Sequence, residues 1–527
     1  MAYAGAIAKI PFGEMGIVTD MPPGQLPPNS FIEAKNITLE NGLLEKARGG
    51  LRYNATPLSA GIVGLFDYWP DIVQQRLIAV TSDGNVYRDT GDRTFSGGTA
   101  IATGLGSLSP NVTFVEGGQE TSGRSKKLFL FTEGKNQLKV LAADGISFAD
   151  IATPAADWTG TKLPKVGIIH RNRFWAFEGQ RSYASNTGDH EDFVTSALTQ
   201  AIYPGEGGEI RGAYAYKGRL FAFKDGGFVY LLNDEATSST DWYWVKLASN
   251  FGLASPNGML DALDDMLAMN TTGTVTSYVA TEKLGDIESA DLFRNMRMEQ
   301  FIHKNLNKGG ITEAHALYYP EKKLVYFTYR QTSRTSNDTL IIVDMGQAQP
   351  RIYLQTKGTP QCLALRKDTY KVERPVYGDA SGYVILMDRE DRLESGAAFT
   401  MDVQTSSIDF RHLDPQLASV EKHFDFLNVE FIEEGNWNLS CDYFIDGKFV
   451  ETITFSMFTD PQYLDLFELD EDLLPFSHAK GSTRRIKGTG RSISFRFYQA
   501  GSNQSVQLAA ISIGIRPGTD RQLRRTS

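Results

Sequence analysis

Along most of this chain, apolar and polar residues alternate over runs of roughly four to eight positions, the period-2 signature of a half-buried β-strand, and turn residues close each run. Seven strand–turn–strand units recur: Leu77–Arg88 (LIAVTSDGNVYR), Leu128–Leu141, Arg173–Ser185 (RFWAFEGQRSYAS), Arg219–Leu232 (RLFAFKDGGFVYLL), Met266–Val279, Leu324–Asp344 and Val376–Met387. In the first, Asp83-Gly84 supplies the positive φ angles expected of a primed hairpin turn. The turns lie roughly 45 to 50 residues apart, apart from one interval stretched by an insertion, and that spacing suits four short strands per propeller blade. Further apolar strands, Gly61–Trp69, Lys165–His170, Arg211–Tyr216 and Glu313–Tyr319, precede several hairpins and supply inner strands. One such blade cannot bury both its faces, so stacking round a ring is the expected consequence. Consecutive hairpins in one or two β-sandwiches fit the same turns; the even period favours the propeller.

The pattern changes at both ends. Residues 1–58 carry Pro22-Pro23-Gly24 and Pro27-Pro28, which exclude a central strand and predict an irregular, extended N-terminal arm. Residues 59–395 then form an all-β propeller domain of about seven blades. A helical insertion near 287–308 interrupts it, with one helix over Ser289–Leu306 capped by Ser289; His303 within it reads as a surface or capping residue. Residues 396–527 hold differently spaced strands, including His423–Ile432, Trp437–Asp446, Val450–Phe455, Ser492–Tyr498 and Val506–Ile515, with a turn at Asp446-Gly447. They predict a C-terminal β-sandwich-like domain sharing strands with the N-terminal arm and ending in a basic tail.

Composition narrows the function. With 50 Gly, 31 Phe and 22 Tyr in 527 residues, the chain suits many tight turns joining half-buried strands. No apolar run reaches the roughly 18 residues of a membrane span, and neither a secretory signal nor an anchor is read. Cys362 and Cys441 cannot build a disulfide framework, which fits folding in a reducing cytoplasm. A formal charge of −10 argues against general affinity for nucleic acid. The local exception is the tail, where Arg516, Arg521, Arg524 and Arg525 read as a solvated terminus or as a docking point for an acidic partner surface.

No constellation for catalysis emerges. The seven histidines are scattered without metal-ligand spacing, and there is no nucleophile elbow and no phosphate-cradling loop. The expectation is no enzyme, no cofactor and no metal. Paired carboxylates at Asp264-Asp265, Asp189–Asp192 and Asp470-Glu471-Asp472 keep one alternative open, a carbohydrate-binding or carbohydrate-cleaving propeller acting on host surface polysaccharide.

From Gly16 to Gly50 the chain reads GIVTDMPPGQLPPNSFIEAKNITLENGLLEKARGG: a proline-rich arm, Ala34-Lys35-Asn36, a turn at Asn41-Gly42, then Leu43-Leu44-Glu45-Lys46 leading to Arg48-Gly49-Gly50. This stretch resembles the opening of tail nozzle proteins, the tail tubular protein B-like family of short-tailed bacteriophages. The resemblance covers those 35 residues and, generally, the blade layout from about 60 to 390. It implies a structural virion protein, assembled in the host cytoplasm and present as a homohexamer in the distal DNA-ejection channel. The partners implied are a tail adaptor, fibre, spike or needle proteins, and double-stranded DNA in transient passage. No catalytic residue transfers. Loops 110–125 and 330–338 are candidate gates, with Glu116, Gln119, Glu120, Arg330 and Arg334 as candidate channel residues. Pro22, Pro23, Arg516, Arg521, Arg524 and Arg525 are candidate adaptor or intersubunit contacts.

Overall fold

The computed structural model describes residues 6–12, 14–71, 74–89, 95, 100–118, 126–249, 252–284, 290–347, 349–367, 372–432, 435–457 and 480–518. Half of the chain is strand and 7% is helix, so the protein is all-β. It divides into two compact units, one of Leu51–Ala348 with Gly358–Asp388, the other of Met1–Gly50, Gln349–Lys357 and Arg389–Ser527. The division differs from the sequence-based boundaries at 58 and 395, because the N-terminal residues take part in sheets with C-terminal strands.

The first unit is a β-propeller arrangement. Seven antiparallel sheets follow in chain order, opening with Ile62–Tyr68, Thr113–Gly117, Val166–His170, Ile210–Tyr216, Met259–Ala262, Ala316–Tyr319 and Pro360–Lys367. In the fourth a short 3-10 turn, Ser239–Asp241, precedes the last strand, and the fifth, ending at Val275–Ser277, runs straight into a helix. The second strand of each sheet is apolar on both faces, since each face meets a different neighbour. Thus Leu128 and Leu130 pack on Ile78 and Val80 of the first sheet, while Phe129 and Phe131 pack on Phe174 and Ala176 of the third. Trp175 and Phe177 turn the other way onto Leu220, Ala222 and Tyr230 of the fourth sheet, whose Phe221 and Phe223 reach Met266 and Ala268 of the fifth. Each buried side chain of this size contributes about 1.5–3 kcal/mol. Tyr329 of the sixth sheet donates its hydroxyl to Gly273 O of the fifth at 2.7 Å, and Lys322 meets Asp388 of the seventh at 2.9 Å.

The ring closes where Cys362, Ala364, Val376 and Val384 of the last sheet pack on Ile62, Leu65, Leu77 and Ala79 of the first. An early segment completes that last sheet. Tyr53 N–H donates to Val384 O at 2.8 Å, Val384 N–H donates to Asn54 Oδ1 at 2.8 Å, and Asn54 Nδ2 donates to Gly382 O at 3.0 Å. A buried polar cluster backs this seam. Asp89, fully buried, accepts from Arg366 Nη2 at 2.9 Å, from Tyr53 Oη at 2.5 Å and from Leu77 N–H at 2.9 Å.

Two sequence expectations need local correction. The Asp83-Gly84 hairpin is not a primed turn: Gly84 alone has positive φ (84°), and its N–H bonds Thr81 O. Primed turns occur instead at Arg171-Asn172, Lys217-Gly218 and Leu263-Asp264, where both residues have φ between 47° and 75°. The insertion is not one helix over 289–306. Helices α1 (Tyr278–Leu284), α2 (Leu292–Asn295) and α3 (Glu299–Asn305) are short, and Ser289 lies outside the described residues. Asp291 caps α2 by accepting from Arg294 N–H, and Arg297, at φ 58°, breaks the path so that Phe293, Met298 and Ile302 can all be buried. His303 is a surface residue, as expected, with Glu299 3.4 Å away on the exposed face of α3.

The second unit takes in the N-terminal residues, which are not an irregular arm. Ala6–Pro11 pairs antiparallel with Gln507–Pro517, and Ile37–Glu40 pairs with Leu43–Lys46 through a primed turn at Asn41-Gly42. Phe31–Lys35 pairs with Met401–Thr405. Short strands between prolines gave too little alternation to announce themselves. Gln507–Pro517 also pairs with Lys422–Ile432, and Ile493–Gln499 pairs with Asn438–Ile445. Phe12 links the two sheets, stacked on Phe31 at 6.0 Å and edge-on to Phe497 at 5.8 Å. Gly16 is required by close approach, because a Cβ there would collide with the backbone of Ile352.

Candidate channel residues and the axial end of the propeller

The three described candidate gate residues, Glu116, Arg330 and Arg334, are each held by a bond or an ion pair. Glu116, in the strand Thr113–Gly117, accepts from Trp69 N–H and from Lys126 Nζ, each at 3.1 Å. Arg330 pairs with Glu313. Arg334, the most exposed of them, lies 3.3 Å from Asp338. Its loop is tied to α3 by Thr332 N–H, which donates to Asn305 O at 2.9 Å, and to the following strand by Gln331 Nε2, which donates to Thr339 Oγ1 at 2.7 Å. No bond recorded among the described residues joins Glu116 to either arginine. Gln119 and Glu120 lie outside the described residues.

Of the candidate docking residues, Pro22 starts a short 3-10 turn that includes Pro23, with Gln25 N–H bonded to Pro22 O at 2.8 Å. Arg516 forms a two-pronged pair with Asp425, Nε to Oδ2 at 2.7 Å and Nη2 to Oδ1 at 2.5 Å. It remains largely exposed at the end of its strand, so one carboxylate already occupies its fork. Arg521, Arg524 and Arg525 lie outside the described residues.

The described carboxylates of these groups hold local turns and helix starts. Asp265 accepts from Ser277 Oγ at 2.6 Å and from Val279 N–H, at the start of α1, at 3.0 Å. Asp264 sits in a primed turn. Asp192 accepts from Val194 and Thr195 N–H at 2.9 Å each, and Asp189 from Glu191 N–H at 3.1 Å. Asp470-Glu471-Asp472 lies outside the described residues. Among the described residues no group of three or more His, Cys, Asp or Glu could hold a metal ion, and no helix is long and apolar enough to cross a membrane.

One constellation escaped the sequence reading. The first strands of neighbouring sheets lie against one another around the propeller axis. At their starting ends, Pro110 and Val112 lead into the second sheet, Asn257 into the fifth and His315 into the sixth. Asn257 Nδ2 donates to both Pro110 O and Val112 O at 3.0 Å, and His315 Nε2 lies 2.6 Å from Pro110 O. With both amide hydrogens of Asn257 committed, the short His315 contact requires a proton on Nε2, so the ring is the neutral Nε2–H tautomer. The second sheet is separated from the fifth and sixth by two sheets on either side. These bonds therefore span the axis. The only sequence hint was a lone histidine inside the apolar run Glu313–Tyr319.

No family model matches the sequence, and no curated protein matches it. Among solved structures, the chain is similar to the computationally designed Ika8 protein, crystallised in P63: TM-score 0.34 and 10% identity, covering 64% of this chain and 99% of that one. That superposition is too loose to carry function. What the strand order defines is the class, an all-β protein with a propeller arrangement.

Proposed function

We propose that this chain is a structural virion protein, one of six copies forming the tail nozzle of a short-tailed bacteriophage, and that it performs no catalysis. In this reading each of the seven sheets is a blade, the second unit is sandwich-like, and the copies bind an adaptor above and fibre, spike or needle proteins below. The observation that carries the proposal is the stretch Gly16–Gly50. Its resemblance to nozzle openings coincides with residues whose placement is exacting: Gly16 against the Ile352 backbone, Asn41-Gly42 in a primed turn, and Gly49 bonded through its N–H to Asp391 O at 2.6 Å. An overall charge of −10 supports a wall that DNA passes without being held. Because Pro110, Asn257 and His315 bridge the propeller axis, the DNA path in this reading runs between copies, not through any one propeller. Electron microscopy of the purified particle tests the proposal. The expected result is density for this chain in a sixfold ring at the distal tail; a chain absent from particles, or monomeric with its partners present, overturns it.

A further inference from the structure

We infer that Asn257, His315 and the Pro110–Val112 stretch form an acid-loosened latch across the propeller axis. The bonds join sheets that do not touch as ring neighbours, so they add nothing to blade-on-blade packing and act only to hold one axial end shut. Three donor hydrogens meet two carbonyls there, and each of those carbonyls belongs to the same short stretch. That stretch is otherwise held to its own side of the ring: Ser109 N–H bonds Glu133, Lys135 Nζ bonds Ser107 O, and Leu108 N–H bonds Ser82 O. Losing the three axial bonds frees its tip without unseating it.

The groups around His315 make protonation the natural trigger. Its own backbone N–H donates to Thr328 Oγ1 at 2.8 Å, and Asn337 Nδ2 reaches the same hydroxyl at 3.3 Å. The charged residues on the packed elements are engaged elsewhere: Glu313 with Arg330, Glu133 with Ser109 and Lys135. Among the described residues no hydrogen bond brings a carboxylate to the imidazole. Burial pushes the His315 pKa down to about 4, with the Pro110 carbonyl opposing the shift. A second proton must enter at Nδ1, and it places an uncompensated charge in a closed site. The charged ring gains hydration by leaving, which removes its 2.6 Å contact with Pro110 O and leaves the tip held across the axis by the two Asn257 bonds, looser than before.

The test uses the full chain with nitroxide labels on Asn111→Cys, half-buried within the tip itself, and on Lys308→Cys, exposed on the far side. Electron–electron distances are read from pH 7 to pH 3.5. In the otherwise unaltered protein the distance is expected to lengthen or broaden as pH falls toward 4. In His315→Gln, which keeps an N–H donor and takes no proton there, it is expected to stay fixed. The same pH response in both proteins, or none in either, overturns the latch. Should His315→Gln not fold, labelled imidazoles in the doubly labelled parent decide instead. One of the seven histidines must titrate two units or more below free histidine, in step with the distance change. Seven ordinary titrations overturn the latch.

Discussion

Replacing Asp89 with alanine is expected to loosen the seam where the last sheet meets the first. Asp89 is 0% exposed and gathers three donors: the Arg366 guanidinium at 2.9 Å, the Tyr53 hydroxyl at 2.5 Å and the Leu77 amide at 2.9 Å. The alternative carboxylate, Asp67, stands 3.9 Å from Arg366. Removing one partner of a buried pair costs about 3–5 kcal/mol, mostly through the charge left behind, here on Arg366 at 7% exposure. Cys362 is a convenient reporter, since its thiol is buried at this seam, 3.6 Å from Ile62 O. With Cys441 replaced by serine, the labelling rate of Cys362 by a thiol reagent measures seam opening. At about 1.4 kcal/mol per tenfold, a loss of 3 kcal/mol speeds labelling roughly a hundredfold. The double variant Asp89→Ala with Arg366→Met removes the stranded charge and should label more slowly than the single one. A single variant within threefold of the parent, or a double variant whose rate is the product of the two separate effects, would refute the reasoning.

Two further outcomes follow from buried groups. Lys46 and Lys422 are fully buried, and burial pulls each pKa from 10.5 down to about 8, with the Arg392 charge adding to the effect at Lys46. Below pH 8 both states are protonated and the burial penalty stands in full; between pH 8 and 10.5 the unfolded chain holds more protons, so stability rises with pH. Lys46→Met and Lys422→Met should each flatten that rise by on the order of 1 kcal/mol, measured by urea unfolding across the window. Trp175 is fully buried, near Trp242 and Trp244 at 6.3 and 6.0 Å, and donates Nε1–H to His170 O at 3.3 Å. Trp175→Ala should cost about 3–5 kcal/mol in thermal or urea unfolding, and a loss under 1 kcal/mol would contradict the packing described.

The hairpins were legible because each opens with the second strand of its sheet, buried on both sides, which forces continuous apolar lettering such as RFWAF and RLFAF. Outer strands were not legible: Phe148–Asp150 and Leu198–Ala201 contain no buried residue, so nothing selects alternation there. The Asn41-Gly42 and Asp446-Gly447 turns were readable from their dipeptides, while Leu263-Asp264 adopts the same geometry without any glycine. The helix over 289–306 was overdrawn because composition records propensity but not the break at Arg297. The axial constellation was hidden for a different reason. Its members, Pro110, Val112, Asn257 and His315, lie 145 to 205 residues apart across its bonds to the Pro110–Val112 stretch, and no local pattern encodes a bond made across a ring.

Asn54 and Val384, the pair that finishes the last sheet, are separated by 330 residues. During synthesis at about 5–20 residues per second, the early segment leaves the ribosome roughly 15–65 s before its partner exists. Six consecutive sheets can stack in that interval, but the two ends of the stack stay open to solvent, with apolar Leu77 and Ala79 uncovered on one of them. A nascent chain of this protein therefore carries a sticky, unfinished circle until its final third emerges, and chaperone demand should peak just before residue 384 clears the exit tunnel.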